Sequence, residues 1–411
     1  MAVFGMIAEF NPLHNGHIEI LNHARGQLHA DYIVIVMSGD FTQRGNPAMI
    51  NKYDRAKLAL RHGADLVVEM PAIAATSSAE SFAKCGIAHL SATGVVSHLI
   101  FGCEDANMEV FRTAANLASN DSMDYHKTIN AFVKQGDSYP VARQKAIQLQ
   151  QKGIEVPSDF LSKPNNVLGV EYVKELASGV HAIEPVCYPR KSSDHNSNSL
   201  NGDAASGSAI RGAMETNQAD AAAHTVPDDV MKLLRFNAQF KTLIRSSDVS
   251  LLLHYKLLSE NDFSHYLDCN EDISNKINNM KERFVEFENF CSLLKSRDLT
   301  YARISRVLTH ILLDIQQTDL NNLAACNYAP YMRILGFSKN GTYLLSEIKK
   351  RTQVPFFLSP QSGMPQLSVM EKAILRKDVH VSDIYRSLLT NKSGRVFPTE
   401  FTRKFDIKDM N

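Results

Sequence analysis

Short apolar runs alternate with amphipathic stretches through the first half of the chain. The runs predict strands at residues 2–9, 32–37, 66–71, 97–102 and 183–188. The stretches between them predict helices at residues 16–28, 52–62, 81–92 and 170–176. Residues 32–37 are rich in β-branched side chains, as expected of a strand that is buried on both faces. These repeated strand–helix units favour an α/β fold with a Rossmann-like, doubly wound parallel sheet.

The second half of the chain shows helical periodicity and few strand signals. Helices are predicted at residues 229–243, 273–294, 300–315, 344–351 and 369–376. Residues 107–153 are polar and helical, and they predict an insertion of two or three helices. We therefore place an α/β domain that carries this insertion at residues 1–220, and a mainly α-helical domain at residues 221–411. A Ser-, Asn- and Gly-rich stretch at residues 192–207 predicts a loop.

The turn after the first predicted strand carries the candidate chemistry. Residues 10–17 have the sequence Phe-Asn-Pro-Leu-His-Asn-Gly-His, and a predicted helix begins at Gly16. The unpaired N–H groups of a helix N-terminus bind phosphate, and a glycine lets the phosphate approach the backbone. His14 and His17 would add side-chain donors. The pattern predicts a nucleotide phosphate site; an ordinary structural turn is the alternative.

A second candidate segment precedes another predicted helix. Residues 206–211 have the sequence Ser-Gly-Ser-Ala-Ile-Arg, in which Ser208 could hold phosphate and Arg211 could neutralise its charge. The two segments are similar to the His-x-Gly-His and Ser-x-Thr-x-Ile-Arg signatures of the nucleotidyltransferase superfamily, with Ser208 at the Thr position. This resemblance implies adenylyl transfer by in-line attack on the α-phosphate of ATP. His14, His17 and Arg211 are the candidate catalytic residues because such a transfer needs positioned cations and donors.

The formal charge of zero conceals an uneven distribution. From residue 300 to the end there are about 16 Lys and Arg against about 9 Asp and Glu. A basic C-terminal portion on an acidic body favours a polyanionic partner such as RNA. Arg303, Arg306 and His310 follow i, i+3 and i+4 spacing on one helix face, and are the candidate tRNA contacts. An ordinary solvated helix face is the alternative.

The remaining composition indicates a cytoplasmic protein. The six cysteines have no paired spacing, so neither a disulfide framework nor a zinc site is predicted, and no metal ligands are assigned. No apolar run reaches the roughly 18 residues of a membrane span. The N-terminus lacks the layout of a signal peptide, and we expect no membrane partner.

Taken together, these segments resemble one family, the tRNA(Met) cytidine acetate ligases. The resemblance covers most of the chain and rests on residues 8–17 (AEFNPLHNGH), 37–39, 43–45, 63–71 (GADLVVEMP), 101–102, 164–166, 209–211, 300–304, 306, 310 and 335–337. It implies a two-step ligase that first converts ATP and acetate to acetyl-adenylate and diphosphate. The acetyl group then passes to N4 of the wobble cytidine of elongator tRNA(Met).

The resemblance also implies which residues bind ATP, by residue-for-residue match with the family. They are Ile7, Ala8, Glu9, Phe10, Asn11, Pro12, Leu13, His14, Asn15, Gly16, His17, Ile18, Glu19, Ile20, Gly102, Asn165 and Arg190, with Ser208 from the second signature. The segment at 191–195 departs from the family pattern, so any contacts from this loop are not assigned.

The expected partners are therefore tRNA and acetate, with ATP arriving together with Mg²⁺, and not DNA. Two alternatives stay open at this point. The first is an adenylyltransferase that joins AMP to a small phosphorylated metabolite, although such enzymes need no large basic appendage. The second is a non-enzymatic module that binds tRNA or the ribosome and retains affinity for ATP.

Overall fold

A seven-stranded sheet forms the centre of the computed structural model, which describes residues 1–119, 123–137, 139–151, 153–190, 205–216 and 218–403. The strands are β1 (Val3–Ala8), β2 (Tyr32–Ser38), β3 (Leu66–Met70), β4 (His98–Cys103), β5 (Glu184–Pro189), β6 (Met332–Phe337) and β7 (Phe356–Phe357). Their spatial order is β5-β4-β1-β2-β3-β6-β7. Strands β1 to β5 are all parallel, which confirms the predicted doubly wound sheet.

Helices cover both faces of this sheet and build most of the C-terminal half. They are α1 (Asn15–Gly26), α2 (Lys52–Arg61), α3 (Ala72–Ala75), α4 (Ala79–Ala92), α5 (Met108–Ser119), α6 (Met123–Lys134), α7 (Tyr139–Gln150), α8 (Pro164–Ala177), α9 (Gly207–Glu215), α10 (Ala219–Ala222), α11 (Asp228–Gln239), α12 (Ser250–Ser259), α13 (Glu271–Met280), α14 (Phe287–Leu294), α15 (Tyr301–Leu313), α16 (Gln317–Ala325), α17 (Gly341–Arg351), α18 (Pro360–Gly363) and α19 (Val369–Ser393). Helices α5 to α7 lie in the segment at residues 107–153 that was predicted to be helical. No described helix is long and apolar enough to span a bilayer.

The C-terminal half contributes two strands that the sequence pattern did not predict. Strand β6 pairs antiparallel with β3, placing Arg333 opposite Glu69, and β7 extends the sheet parallel to β6. A six-residue run that is apolar except for Arg333 and lies within helical sequence cannot be assigned as a strand from periodicity alone. The sheet therefore crosses the boundary that we placed near residue 220, and that division into domains stays a prediction.

Helix ends account for the other differences from the predicted elements. The helix predicted at 273–294 is interrupted after α13, because the chain turns at Lys281–Arg283 and is extended at Glu286 before α14 begins. The helix predicted at 369–376 continues for 25 residues and ends at Gly394, whose φ of 69° is accessible to glycine. Most of the loop predicted at 192–207 lies outside the described residues.

A buried histidine on α4 makes the stability of the fold depend on pH. Burial lowers the pKa of His89 to about 4, whereas an unfolded histidine titrates at about 6.5. Between these values the unfolded chain binds more protons, so the free energy of unfolding falls as the pH falls. From pH 7 to pH 5 we expect a loss of about 2 kcal/mol from this residue, measured by urea unfolding. The free energy of unfolding of a His89→Gln variant should fall less over the same pH interval. Equal losses in the two proteins would show that His89 is not the cause of the pH dependence.

Candidate active site

The turn between β1 and α1 is fixed by buried hydrogen bonds to the neighbouring strand. The fully buried Arg55 guanidinium donates to the carbonyl oxygens of Glu9 (2.6 Å) and Ser38 (3.1 Å), and so joins the carboxyl ends of β1 and β2. The Asn11 side-chain oxygen accepts a hydrogen bond from the Met49 backbone N–H at 2.9 Å. The turn that we predicted as a phosphate site is therefore held rigidly at the carboxyl edge of the sheet.

The two motif histidines form one stacked unit at the start of α1. Their ring centroids lie 3.7 Å apart, and the Phe10 ring meets His17 edge-on at 5.0 Å. Nδ1 of His17 accepts a hydrogen bond from the His14 backbone N–H at 3.3 Å. Because this nitrogen accepts, a neutral His17 ring carries its proton on Nε2. Burial, with further contributions from the positive charges of His14 and Arg190, lowers the pKa of His17 well below its usual value. At neutral pH, His17 is an uncharged donor.

Helix α9 brings the second predicted segment to the same turn. The Ser206 hydroxyl caps this helix by accepting from the Ala209 backbone N–H at 3.2 Å, and it lies 2.9 Å from the Ser208 hydroxyl. Nη1 of Arg211 donates to the Asn11 carbonyl oxygen at 2.7 Å. A Cβ added at Gly207 would lie 3.0 Å from that same oxygen, so glycine permits this close approach. Two segments far apart in sequence are thus in direct contact.

The end of β4 places the other predicted ATP-binding residues on the same edge. The backbone N–H of Arg190 donates to the Cys103 carbonyl oxygen at 2.9 Å, which extends the pairing of β5 with β4. A Cβ added at Gly102 would lie 2.9 Å from Ile20 and 3.2 Å from the Arg190 side chain. Gly102 therefore lies between two members of the predicted nucleotide site.

Glu104 was not among the predicted site residues, yet it holds Asn165. Its carboxylate accepts from Asn165 Nδ2 at 2.7 Å and from the Asn166 backbone N–H at 3.0 Å. In the opposite direction, the Asn166 side-chain oxygen accepts a hydrogen bond from the Glu104 backbone N–H at 3.0 Å. A carboxylate only accepts, so the Asn165 amide must direct its nitrogen at Glu104 and its oxygen elsewhere. The sequence signal was an acidic residue directly after a parallel strand.

Replacing Glu104 with glutamine is expected to weaken ATP binding several-fold, because an amide can also donate and no longer fixes the Asn165 side chain. It also removes a negative charge from the N-terminus of α8, which costs roughly 0.3–1 kcal/mol. Isothermal titration with ATP checks this. Glu109→Gln, at an exposed position on α5, is the matched control. Equal affinities in both variants would remove Glu104 from the site.

Cationic side chains predominate around the predicted nucleotide site at this edge of the sheet, which is called the crevice below. Burial lowers the pKa of both Arg190 and Arg211, and the charge of Arg44 lowers each further, which places three arginines near one another. The carboxylates of Glu104 and Glu9 partly offset these charges, and Glu9 is itself held by the Gln43 backbone N–H at 2.7 Å. Arg44 is exposed and was not among the predicted site residues, although its polar loop follows β2. Such an arrangement suits a polyphosphate.

No metal-binding cluster accompanies these cations in the part of the chain that the structure describes. In particular, it contains no group of three or more His, Cys, Asp or Glu side chains that could hold a metal ion.

The candidate tRNA contacts on α15 do not form one exposed face. His310 is fully buried, and its ring nitrogens lie 2.8 Å and 3.0 Å from the carbonyl oxygens of Leu267 and Thr76. The expectation that His310 extends an exposed basic face is therefore wrong. The Arg306 side chain is only 14% exposed and is 3.5 Å from Asp268. Arg303 is half-buried, and its contact with tRNA stays a prediction.

Comparison with known proteins agrees with this geometry. A family model described as HIGH Nucleotidyl Transferase matches residues 1–397. The tRNA(Met) cytidine acetate ligase of Fervidobacterium nodosum is 31% identical, covering 98% of this chain and 99% of that protein. That of Caldanaerobacter subterraneus is 33% identical, covering 94% and 95%. Crystal structures of Thermotoga maritima TmcAL, apo and bound with alpha-thio ATP, give TM-scores of 0.88 and 0.86. Both are 26% identical to this chain, with 96% of each chain covered.

Proposed function

The chain belongs to the HIGH nucleotidyl transferases and, within them, to the tRNA(Met) cytidine acetate ligase family, and from this premise we propose that it is an ATP-dependent ligase that acetylates N4 of the wobble cytidine of elongator tRNA(Met). The observation that carries the proposal is the meeting of the His14–His17 turn with Arg211 at one edge of the sheet. The ATP analogue bound by the Thermotoga maritima relative supports ATP as the nucleotide.

In the first step, an acetate oxygen attacks the α-phosphorus of ATP while the bond to diphosphate breaks. No protein nucleophile is required, so catalysis depends on positioning and on stabilising the negative charge of the transition state. His17 would donate from Nε2 to the reacting phosphate, and Arg211 would neutralise charge on the departing diphosphate. Mg²⁺ would enter with ATP, held mainly by the phosphates. The proposed nucleotide contacts are residues 7–20 with Gly102, Asn165, Arg190 and Ser208.

In the second step, the N4 amine of cytidine attacks the carbonyl carbon of acetyl-adenylate. The bond between that carbon and the AMP oxygen breaks, N4 loses a proton, and N4-acetylcytidine and AMP are released. The amine must reach the same crevice in which acetyl-adenylate forms, so the tRNA loop has to present an unstacked base there.

Two measurements with one protein sample test the function. Acetate-dependent exchange of labelled diphosphate into ATP measures activation without tRNA. Incorporation of labelled acetate into elongator tRNA(Met) measures the complete reaction, with a tRNA that lacks the wobble cytidine as control. Transfer of AMP to a phosphorylated metabolite without any need for acetate would replace this function with the adenylyltransferase alternative.

A further inference from the structure

A cluster of aromatic and basic side chains, all exposed except the half-buried Phe240, lies outside the site described above. It comprises Lys232, Phe236, Phe240, Lys241 and Arg395, and is called the Phe236 patch below. Phe236 is 55% exposed, and its ring centroid lies 4.4 Å from that of Phe240. The Arg395 guanidinium lies over the other ring at 4.6 Å from its centroid. The two rings are tilted by 50° to each other, and together with the guanidinium they form one contiguous group of planar side chains at the surface.

The three cations of this patch have no ion-pair partner in the part of the chain that the structure describes. Two nearby basic residues are already paired: Arg235 with Asp220 and Lys392 with Asp248, each at 2.5 Å. Across the described ranges, by contrast, no carboxylate lies within 4.0 Å of the charged groups of Lys232, Lys241 or Arg395. The patch therefore combines an exposed aromatic platform with three positive charges.

The helix that carries Lys232 and Phe236 is connected to the active-site turn through the segments before and after it, directly at one end and through Met49 at the other. Just before α11, the His224 carbonyl oxygen accepts from Asn15 Nδ2 at 2.9 Å. Just after α11, the Ile244 backbone N–H donates to the Met49 carbonyl oxygen at 2.9 Å. Met49 is in turn bonded to the Asn11 side chain. The segments that flank α11 are thereby bonded to the turn that carries His14 and His17 and to the loop that supports this turn.

We propose that the Phe236 patch binds the single-stranded loop of the tRNA on which the ligase acts, stacking a base next to the target cytidine on Phe236. This inference rests on the proposed function. Proteins that recognise RNA loops stack unpaired bases on aromatic rings and arginine planes, and neutralise the adjoining phosphates with lysine and arginine. A loop whose cytidine enters the nucleotide site brings its neighbouring bases toward the elements connected to that site, and α11 is one of these elements.

The test measures binding of elongator tRNA(Met) by fluorescence anisotropy at several salt concentrations. The variants are Phe236→Ala, Phe236→Trp, Lys241→Ala and Arg395→Ala. Tyr255→Ala is the matched control, because this aromatic residue is 71% exposed on α12. Arg303→Ala tests the α15 face on which the sequence placed the tRNA contact. Acetate-dependent diphosphate exchange without tRNA, measured on every variant, reports on the proposed function separately.

Phe236→Ala is expected to weaken tRNA binding at least about fivefold, whereas Phe236→Trp and Tyr255→Ala leave it close to that of the unmodified protein. Lys241→Ala and Arg395→Ala should each reduce the slope of log affinity against log salt by about one. Diphosphate exchange should be unchanged in all of them. The proposal is overturned if all three alanine variants of the patch bind tRNA with the affinity and the salt slope of the unmodified protein. It is also overturned if the unmodified protein binds no tRNA. Normal tRNA binding by a protein that shows no acetate-dependent exchange would instead refute the ligase function. In that case the tRNA affinities of the variants still decide whether the Phe236 patch binds tRNA.

Discussion

Replacing His17 with alanine is expected to lower acetate-dependent diphosphate exchange about 100- to 1,000-fold, as removal of one donor to a transition state does in other enzymes. The reason lies in the hydrogen bond that His17 Nδ1 accepts from the His14 backbone. It leaves Nε2 as the protonated nitrogen, and burial keeps the ring uncharged at neutral pH. The alanine variant loses this oriented donor, while the rest of the turn keeps its bonds to Arg55 and Arg211.

Two further substitutions separate the donor from the capping role of the same ring. Asparagine at position 17 keeps an oxygen near the Nδ1 position but does not reach the position of Nε2. It should preserve thermal stability and be as inactive as alanine. Glutamine places an amide N–H near the Nε2 position and should recover part of the exchange rate. If the asparagine variant exchanges at the normal rate, His17 serves only to cap the helix.

The α/β half of the fold could be predicted because the sequence signals for its strands and turns lie within short segments of the chain. Each buried parallel strand is a compact apolar run, and characteristic residues lie at or near the strand ends, such as Asn11 in the turn after β1, Gly16 at the start of α1 and Gly102 near the end of β4. Superfamily signatures then connected Arg211 to the His14 turn, which periodicity alone does not do. The structure places these residues together through the Arg211–Asn11 hydrogen bond.

The parts that were missed depend on long-range contacts. Helix α15 has basic residues at surface-like spacing, but its face docks on the loop after β2: the Ser305 and Thr309 hydroxyls donate to the Gly45 carbonyl oxygen at 3.0 Å and 2.5 Å. A Cβ added at Gly45 would lie 2.5 Å from the Arg306 backbone nitrogen. His310 on the same helix is buried against the carbonyl oxygens of Leu267 and Thr76. No sequence pattern within the helix predicts either contact.

Strand β6 is attached to the sheet by a buried group of charges. Nη1 of Arg333 lies 3.0 Å from the Glu69 carboxylate, and Nη2 of Arg333 is bonded to the Glu400 carboxylate. Lys52 lies 2.7 Å from Glu69 and 3.4 Å from Glu400. Burial alone would raise the pKa of Glu400, but Lys52 and Arg333 outweigh it and hold that pKa well below its usual range. All four side chains are at most 8% exposed, so each charge depends on the others.

Replacing Arg333 with alanine should therefore lower the free energy of unfolding by about 3–5 kcal/mol, because Glu69 and Glu400 keep their charges in the interior with one cation fewer. Urea unfolding at pH 7 measures this loss. Arg235→Ala, which breaks the exposed pair with Asp220, should cost less than about 1 kcal/mol. The free energy of unfolding of an Arg333→Met, Glu69→Leu double variant should fall less than that of Arg333→Ala. The double variant removes both charges of a buried ion pair and leaves Lys52 beside Glu400. A loss below 1 kcal/mol in Arg333→Ala would mean that apolar packing, rather than this group of charges, holds β6 against β3.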